Sequence, residues 1–180
     1  MKKFLAVLFV VFLVAGFTSA QGKMALGLNA GIALPMGDFG DGYDMGFGGN
    51  ALFAYHATPN VDVTASAGYL TWSGKDALDG STFSSIPVMV GARYLFGQGK
   101  FHPYLGAELG MHFASFDYEF MGVDYSSSDS YFGWGAGAGF LYQVGHNMDL
   151  DVNARYNSIS SEGSASDYVS VMVGLLFGLN

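Results

Sequence analysis

The chain has 180 residues, of which 51% are hydrophobic and only 12% charged, with 27 glycines, no cysteine and a formal net charge of -8. That is the size of one domain, with about half the usual charged share; it excludes a disulfide framework, thiolate chemistry and a cysteine-held metal. Glycine without a Gly-x-y period excludes collagen, and an acidic balance with no basic cluster argues against a nucleic-acid partner.

The first twenty residues, MKKFLAVLFVVFLVAGFTSA, combine Lys2 and Lys3, an apolar run from Phe4 to Phe17, and small residues at Thr18 and Ala20. This reads as a secretory signal peptide cut after Ala20, leaving a mature domain over 21–180. The mature chain then carries 15 acidic and 5 basic residues, net -10. No later run is long and apolar enough for a spanning helix.

Segment after segment of the mature chain alternates with period two, the mark of strands with two different faces. KMALGLNAGIAL places Met24, Leu26, Leu28, Ala30, Ile32 and Leu34 opposite Gly27, Asn29 and Gly31. DMGFGGNALFAYH, VDVTASAGYLTW and SSIPVMVGARYLF repeat the pattern, the last with Arg93 on the polar face. FHPYLGAELGMHF sets Leu105 and Leu109 against Tyr104, Glu108 and His112. YFGWGAGAGFLY opposes Phe132, Trp134 and Phe140 to glycines 133, 135, 137 and 139. MDLDVNARYN puts Asp149, Asp151 and Arg155 on its polar face, and YVSVMVGLLFGL closes the series. Eight strands are predicted. Short turns at 57–60, 97–100 and 144–147 alternate with long connections at Pro35 to Tyr43, Ser73 to Phe83, Asp117 to Ser130 and Ser158 to Asp167. An up-and-down antiparallel sheet puts long and short connections at opposite ends.

The two faces decide what the sheet does. In a soluble sandwich the bulky apolar face would be the core, and the water-facing side would be glycine-rich, at an entropic cost of about 0.5–1 kcal/mol per glycine. In a membrane barrel the apolar face meets lipid, and the bare face of YFGWGAGAGFLY makes room for side chains reaching into a narrow interior. Closure also pairs every backbone group, which hydrocarbon demands. An eight-stranded up-and-down antiparallel transmembrane β-barrel is therefore predicted. Its lumen would hold a polar network of Arg93, Glu108, Asp149, Asp151 and Arg155, with Arg93 or Arg155 reaching Glu108. Unpaired buried charge would cost several kcal/mol. Tyr55, Tyr69, Trp72, Tyr94, Phe96, Phe101, Tyr142 and Tyr156 are expected at the membrane interfaces.

The stretch 84–113, with a strand ending in Tyr94 and Phe96, the turn GQGK, then Pro103, Tyr104, Gly106 and Gly110, resembles the outer-membrane β-barrel domain family, the small barrels similar to the OmpA transmembrane domain and OmpX. The resemblance implies residence in the outer membrane of a Gram-negative-type bacterium, among lipid and lipopolysaccharide. It also implies insertion by the barrel assembly machinery, which reads a C-terminal aromatic residue; here Phe177 keeps the outward phase and Asn180 departs from the pattern.

Chemistry is sparse. Lipid A deacylases among similar barrels use a His and a Ser at the outer rim, but His112 and Ser115 fall on opposite faces by phase. The four histidines are scattered, no metal site or cofactor is expected, and PMGDFGDGYD does not match the EF-hand spacing. In or beside the long connections lie Asp38, Asp41, Asp44, Asp76, Asp79, Asp117, Glu119, Asp124, Asp129, Glu162 and Asp167, together with Tyr118, Phe120, Met121, Tyr125 and Tyr131. A monomeric, non-enzymatic surface or structural role is expected, with a small channel and a lipid A-modifying enzyme as alternatives.

Overall fold

The structure, a computed structural model, describes residues 24–75, 80–120, 123–161 and 164–179. The expected signal peptide, Asp76, Asp79, Met121, Glu162 and Asn180 lie outside the described residues. The strands are β1 (Met24–Met36), β2 (Gly46–Thr58), β3 (Val61–Ser73), β4 (Ser81–Leu95), β5 (Phe101–Phe120), β6 (Val123–Gly145), β7 (Met148–Ser161) and β8 (Ser164–Leu179), with one short helix, α1 (Gly37–Gly42), between β1 and β2. Each strand pairs antiparallel with its neighbours in sequence, and β1 pairs with β8, so the sheet is a closed barrel without edges.

The register sets the shape. From Thr71 in β3, the paired neighbours Phe47, Ile32, Val171, Ala154, Ala138, Leu105 and Tyr94 lead round the wall and back to β3 at Val61, ten residues away. A stagger of this kind tilts the strands by about 40° and leaves an interior just wide enough for side chains. Every residue on that path points outward, and all but Thr71 are apolar. Leu28 is 69% exposed, Leu105 57% and Phe47 55%, whereas Arg93 is 3% exposed. The alternation therefore resolves as the lipid-facing case. Bulky apolar side chains cover the outside, while the inside holds glycines, a polar layer, and apolar clusters with Leu52, Leu95, Leu141 and Leu176 toward the turn end and Leu70, Trp72 and Met172 toward the other.

Three tight turns close one end. Gly97 and Gly99 adopt φ of 82° and 91°, a region that a Cβ disfavours. The turns brace one another, Leu95 N–H donating to Asn60 O at 2.8 Å and Gln143 N–H to Lys100 O at 2.8 Å. The opposite end differs from expectation. The connections read as long loops at 117–130 and 158–167 are mostly strand: β5 and β6 remain paired from Phe101↔Tyr142 to Phe120↔Val123, and β7 and β8 to Ser161↔Ser164. Serine-rich, acidic sequence reads as loop by its composition, although 115–120 keep period two, and the ladder continues past the lipid edge.

Candidate functional site: the lumen and the outer mouth

Side chains on the inner face meet over bare strand. β6 contributes Gly133, Gly135, Gly137 and Gly139. A Cβ on these would lie 2.5 Å from His112 Cδ2, 2.7 Å from Asn157 Oδ1, 2.7 Å from Arg155 Cγ and 2.6 Å from Tyr104 Cζ, respectively. Side chains of β5 and β7 thus lean over β6 from both sides, and they can do so because β6 has none of its own.

Two ion pairs result. Arg155 Nη1 donates to Glu108 Oε2 at 2.7 Å across β6. Arg93 does not reach Glu108; its Nε donates to Asp62 Oδ2 at 2.7 Å, with both side chains buried, at 3% and 1% exposure. His56 Nδ1 meets the other oxygen of Asp62. The Arg93 guanidinium lies 5.2 Å from the centroid of the Tyr104 ring, and Tyr104 donates its hydroxyl to Asp151 Oδ1 at 2.7 Å. Asn153 and Asn157 extend the polar layer to Asp151 and Ser170. Asp149 is half-buried, with no hydrogen bond or ion pair to another described residue. Asp62 is absent from the charged set expected from the sequence. Its signal is there nonetheless, since it shares the polar face of its strand and stands directly opposite Arg93 in register.

Farther out, His112 is buried and its Nδ1 lies 3.1 Å from Ser85 Oγ on β4. The unbroken register of β5 with both neighbours leaves Ser115 on the outer face, so His112 and Ser115 do not meet. His102 Nε2 bonds Gly99 O at the turn end. Among the described residues, no group of three His, Asp or Glu is placed to hold a metal.

An aromatic cluster lies beyond the polar layer. Helix α1 turns Phe39 into the mouth, where its ring centroid is 5.4 Å from Trp72, 5.5 Å from Phe83 and 5.0 Å from Tyr43. Trp72 also packs edge-on to Tyr168 and donates Nε1–H to Ala33 O at 3.1 Å. The expectation that Trp72 sits in an interfacial belt is therefore wrong: it is 1% exposed, inside the barrel. Its phase places it with Asp62 and Thr64 on the inward face, and ring type is a poorer guide than phase. Tyr69, Tyr94, Phe96, Phe101, Tyr142 and Tyr156 do face outward. Lys75 Nζ bonds Gly40 O at 2.9 Å and lies 3.8 Å from Asp44, which fastens α1 to the β3 end. Burial raises the Tyr43 phenol above its ordinary value.

The outer limit of the lipid band can be read along the strands. The outward face of β5 runs Leu105, Leu109, Met111, Phe113, then Ser115 and Asp117. That of β6 runs Trp134, Phe132, then Ser130, Ser128 and Ser126, and Phe113 pairs with Ser130. Beyond this edge, the β5–β6 hairpin projects for about seven more pairs, roughly 25 Å along the strands.

A closed, lipid-facing eight-stranded barrel with an internal polar layer defines a small transmembrane barrel of the outer-membrane kind. The chain belongs to the outer membrane protein beta-barrel domain family, which matches it over residues 4–177, and it resides in the outer membrane of a Gram-negative-type bacterium. Among solved structures it is similar to Neisserial surface protein A (NspA), at 24% identity with TM-score 0.69, covering 87% of this chain and 97% of that one. It is also similar to Ail, the attachment invasion locus protein of Yersinia pestis, at 17% identity with TM-score 0.59, covering 88% and 100%. OprG from Pseudomonas aeruginosa matches at 18% identity with TM-score 0.53, covering 88% and 97%. These likenesses carry the architecture. No curated protein matches the sequence.

Proposed function

We propose that this chain is a monomeric, non-conducting barrel that acts at the cell surface, with the β5–β6 hairpin as its contact element and the barrel as a membrane-stabilising anchor. The carrying observation is the change in the hairpin beyond the lipid edge, where the outward face becomes serine and aspartate and the inward face sets Phe116 and Tyr118 of β5 beside Ser127 and Asp129 of β6. Ail, whose name describes attachment and invasion, shares this architecture, and its structure in complex with the heparin analogue sucrose octasulfate supports ligand contact for that protein. In this reading residues 1–20 are the signal peptide, residues 21–180 form the barrel domain, the barrel assembly machinery inserts it, and lipopolysaccharide surrounds its outer rim. Replacing residues 117–130 by a tight turn is expected to abolish surface adhesion while leaving heat-modifiable gel migration intact. Unchanged adhesion would count against the reading.

The lumen bears on the channel alternative. Its cavity beside Glu108, His112 and Arg155 is about 40 Å³, enough for about three waters, and Phe39 and Trp72 stand over it. Planar-bilayer recordings are expected to show no open state, and a clear one would overturn the sealed lumen. For the enzyme alternative, the Ser85–His112 contact lies beneath the aromatic cluster, out of reach of a lipid ester. The mass of lipid A is expected to be the same with and without expression.

A further inference from the structure

At the outer lipid edge and beyond it, the inner face of the β4–β5–β6 wall forms a cleft of about 240 Å³ lined by Phe83, Ala114, Phe116, Ser127, Asp129 and Tyr131. The register explains its shape. Phe83, Phe116 and Ser127 stand side by side on the three strands, and one inward position nearer the membrane stand Ser85, Ala114 and Asp129. The single methyl of Ala114 leaves a hollow between the Phe83 and Phe116 rings on the outer side and Tyr131, two residues from Asp129 on the same face, on the membrane side. Asp129 is exposed and makes no hydrogen bond or ion pair to another described residue. Exposed carboxylates of Asp38, Asp41, Asp44 and Asp117 share this end of the barrel. Among the described residues the basic side chain here is Lys75, which is already engaged by Gly40 O and Asp44.

Aromatic rings around a free carboxylate, in a mouth of net negative charge, complement a cation. Of the two cationic side chains, arginine stacks flat on rings and bonds a carboxylate through a planar fork, whereas lysine offers a compact, strongly hydrated point charge. A saccharide would need many paired donors and acceptors, and the polar lining here is hydroxyls and one carboxylate. We propose that this cleft receives an arginine side chain from a basic partner polypeptide, stacked on the Phe116 and Tyr131 rings and hydrogen-bonded to Asp129. This rests on the surface-contact reading above and specifies the chemistry of its partner.

The test uses the full mature chain folded in neutral detergent micelles, with fluorescence anisotropy of a short Gly/Ser peptide carrying arginines and of its lysine and glutamine counterparts. The arginine peptide is expected to bind more tightly than the lysine peptide, and the glutamine peptide not measurably. Asp129→Asn is expected to weaken the arginine peptide about tenfold, and Phe116→Leu, which keeps bulk but removes the ring, about threefold. Asp117→Asn removes the same charge from the opposite face of the hairpin, and its effect is expected to stay below about twofold. Heat-modifiable migration confirms that each variant is folded. Equal losses from Asp117→Asn and Asp129→Asn would reduce the effect to diffuse charge and overturn the proposal, as would glutamine-peptide or neutral-oligosaccharide binding as tight as that of the arginine peptide. If deleting 117–130 abolishes adhesion while Asp129→Asn leaves it unchanged, the arginine cleft fails and the surface reading stands.

Discussion

Below Phe113 and Ser130 the barrel wall is apolar outside and holds paired charges inside; above them the outside of the β5–β6 hairpin is serine and aspartate, and Phe116 faces inward with Ser127 and Asp129. Leu105 and Trp134 meet lipid while Arg93 and Asp151 are buried, yet farther out on β5 and β6 Ser115 and Asp117 face outward and Phe116 and Asp129 line the inner side. The backbone alternates without a break through the change. What differs is the solvent outside the wall, hydrocarbon in one part and water in the other, and the side chains follow it. Inside, the difference is one of distance from water: in the enclosed middle Arg93 pairs with Asp62 and Arg155 with Glu108, whereas at the open mouth carboxylates such as Asp129 stay exposed to solvent.

The buried charges put this contrast to its hardest test. Asp62→Ala leaves the Arg93 guanidinium with only the more distant Asp151 carboxylate, 3.8 Å away. A loss of about 3–5 kcal/mol is expected in urea unfolding from lipid vesicles, with much of it recovered when Arg93 is also replaced by Met. Next in size is the lipid edge. Leu105→Arg is expected to cost about 2–4 kcal/mol and Ser130→Arg about 0–1 kcal/mol. Equal costs at the two positions would erase the edge placed between Phe113 and Ser115. Gly137→Val forces atoms against Arg155 and the backbone of Ala154, so a destabilisation of about 1–3 kcal/mol is expected, read as a lower unfolding midpoint. The mildest change probes the outer half: Trp72→Phe keeps a ring in the cluster but loses the bond to Ala33 O, with an expected cost of about 1 kcal/mol in the same assay.

Much of the lower half is legible in the residues. Period two marks the strands and their faces, and the glycine face of β6 reads as space for neighbours, which is how His112, Tyr104, Asn157 and Arg155 use it. Less of the upper half is legible. Period two does run on through 115–120, with Ser115, Asp117 and Glu119 against Phe116, Tyr118 and Phe120, but acidic and serine-rich composition points to a solvated connection and hides the continuing ladder. Phe39 sits in a Gly/Asp-rich connection whose composition says turn and nothing of the mouth it enters. Trp72 belongs inside by phase, and the interface preference of its ring type points the wrong way.

Which side of each strand meets lipid follows from the residue pattern alone, because the pleat sends successive side chains to opposite faces whatever the partner strand. Who meets whom does not: Arg93 with Asp62, Arg155 with Glu108 across a bare strand, and Phe39 over the lumen are settled by the folded barrel. Those meetings depend on the ten-residue stagger with which the sheet closes on itself, a property of all eight strands together that no single strand encodes.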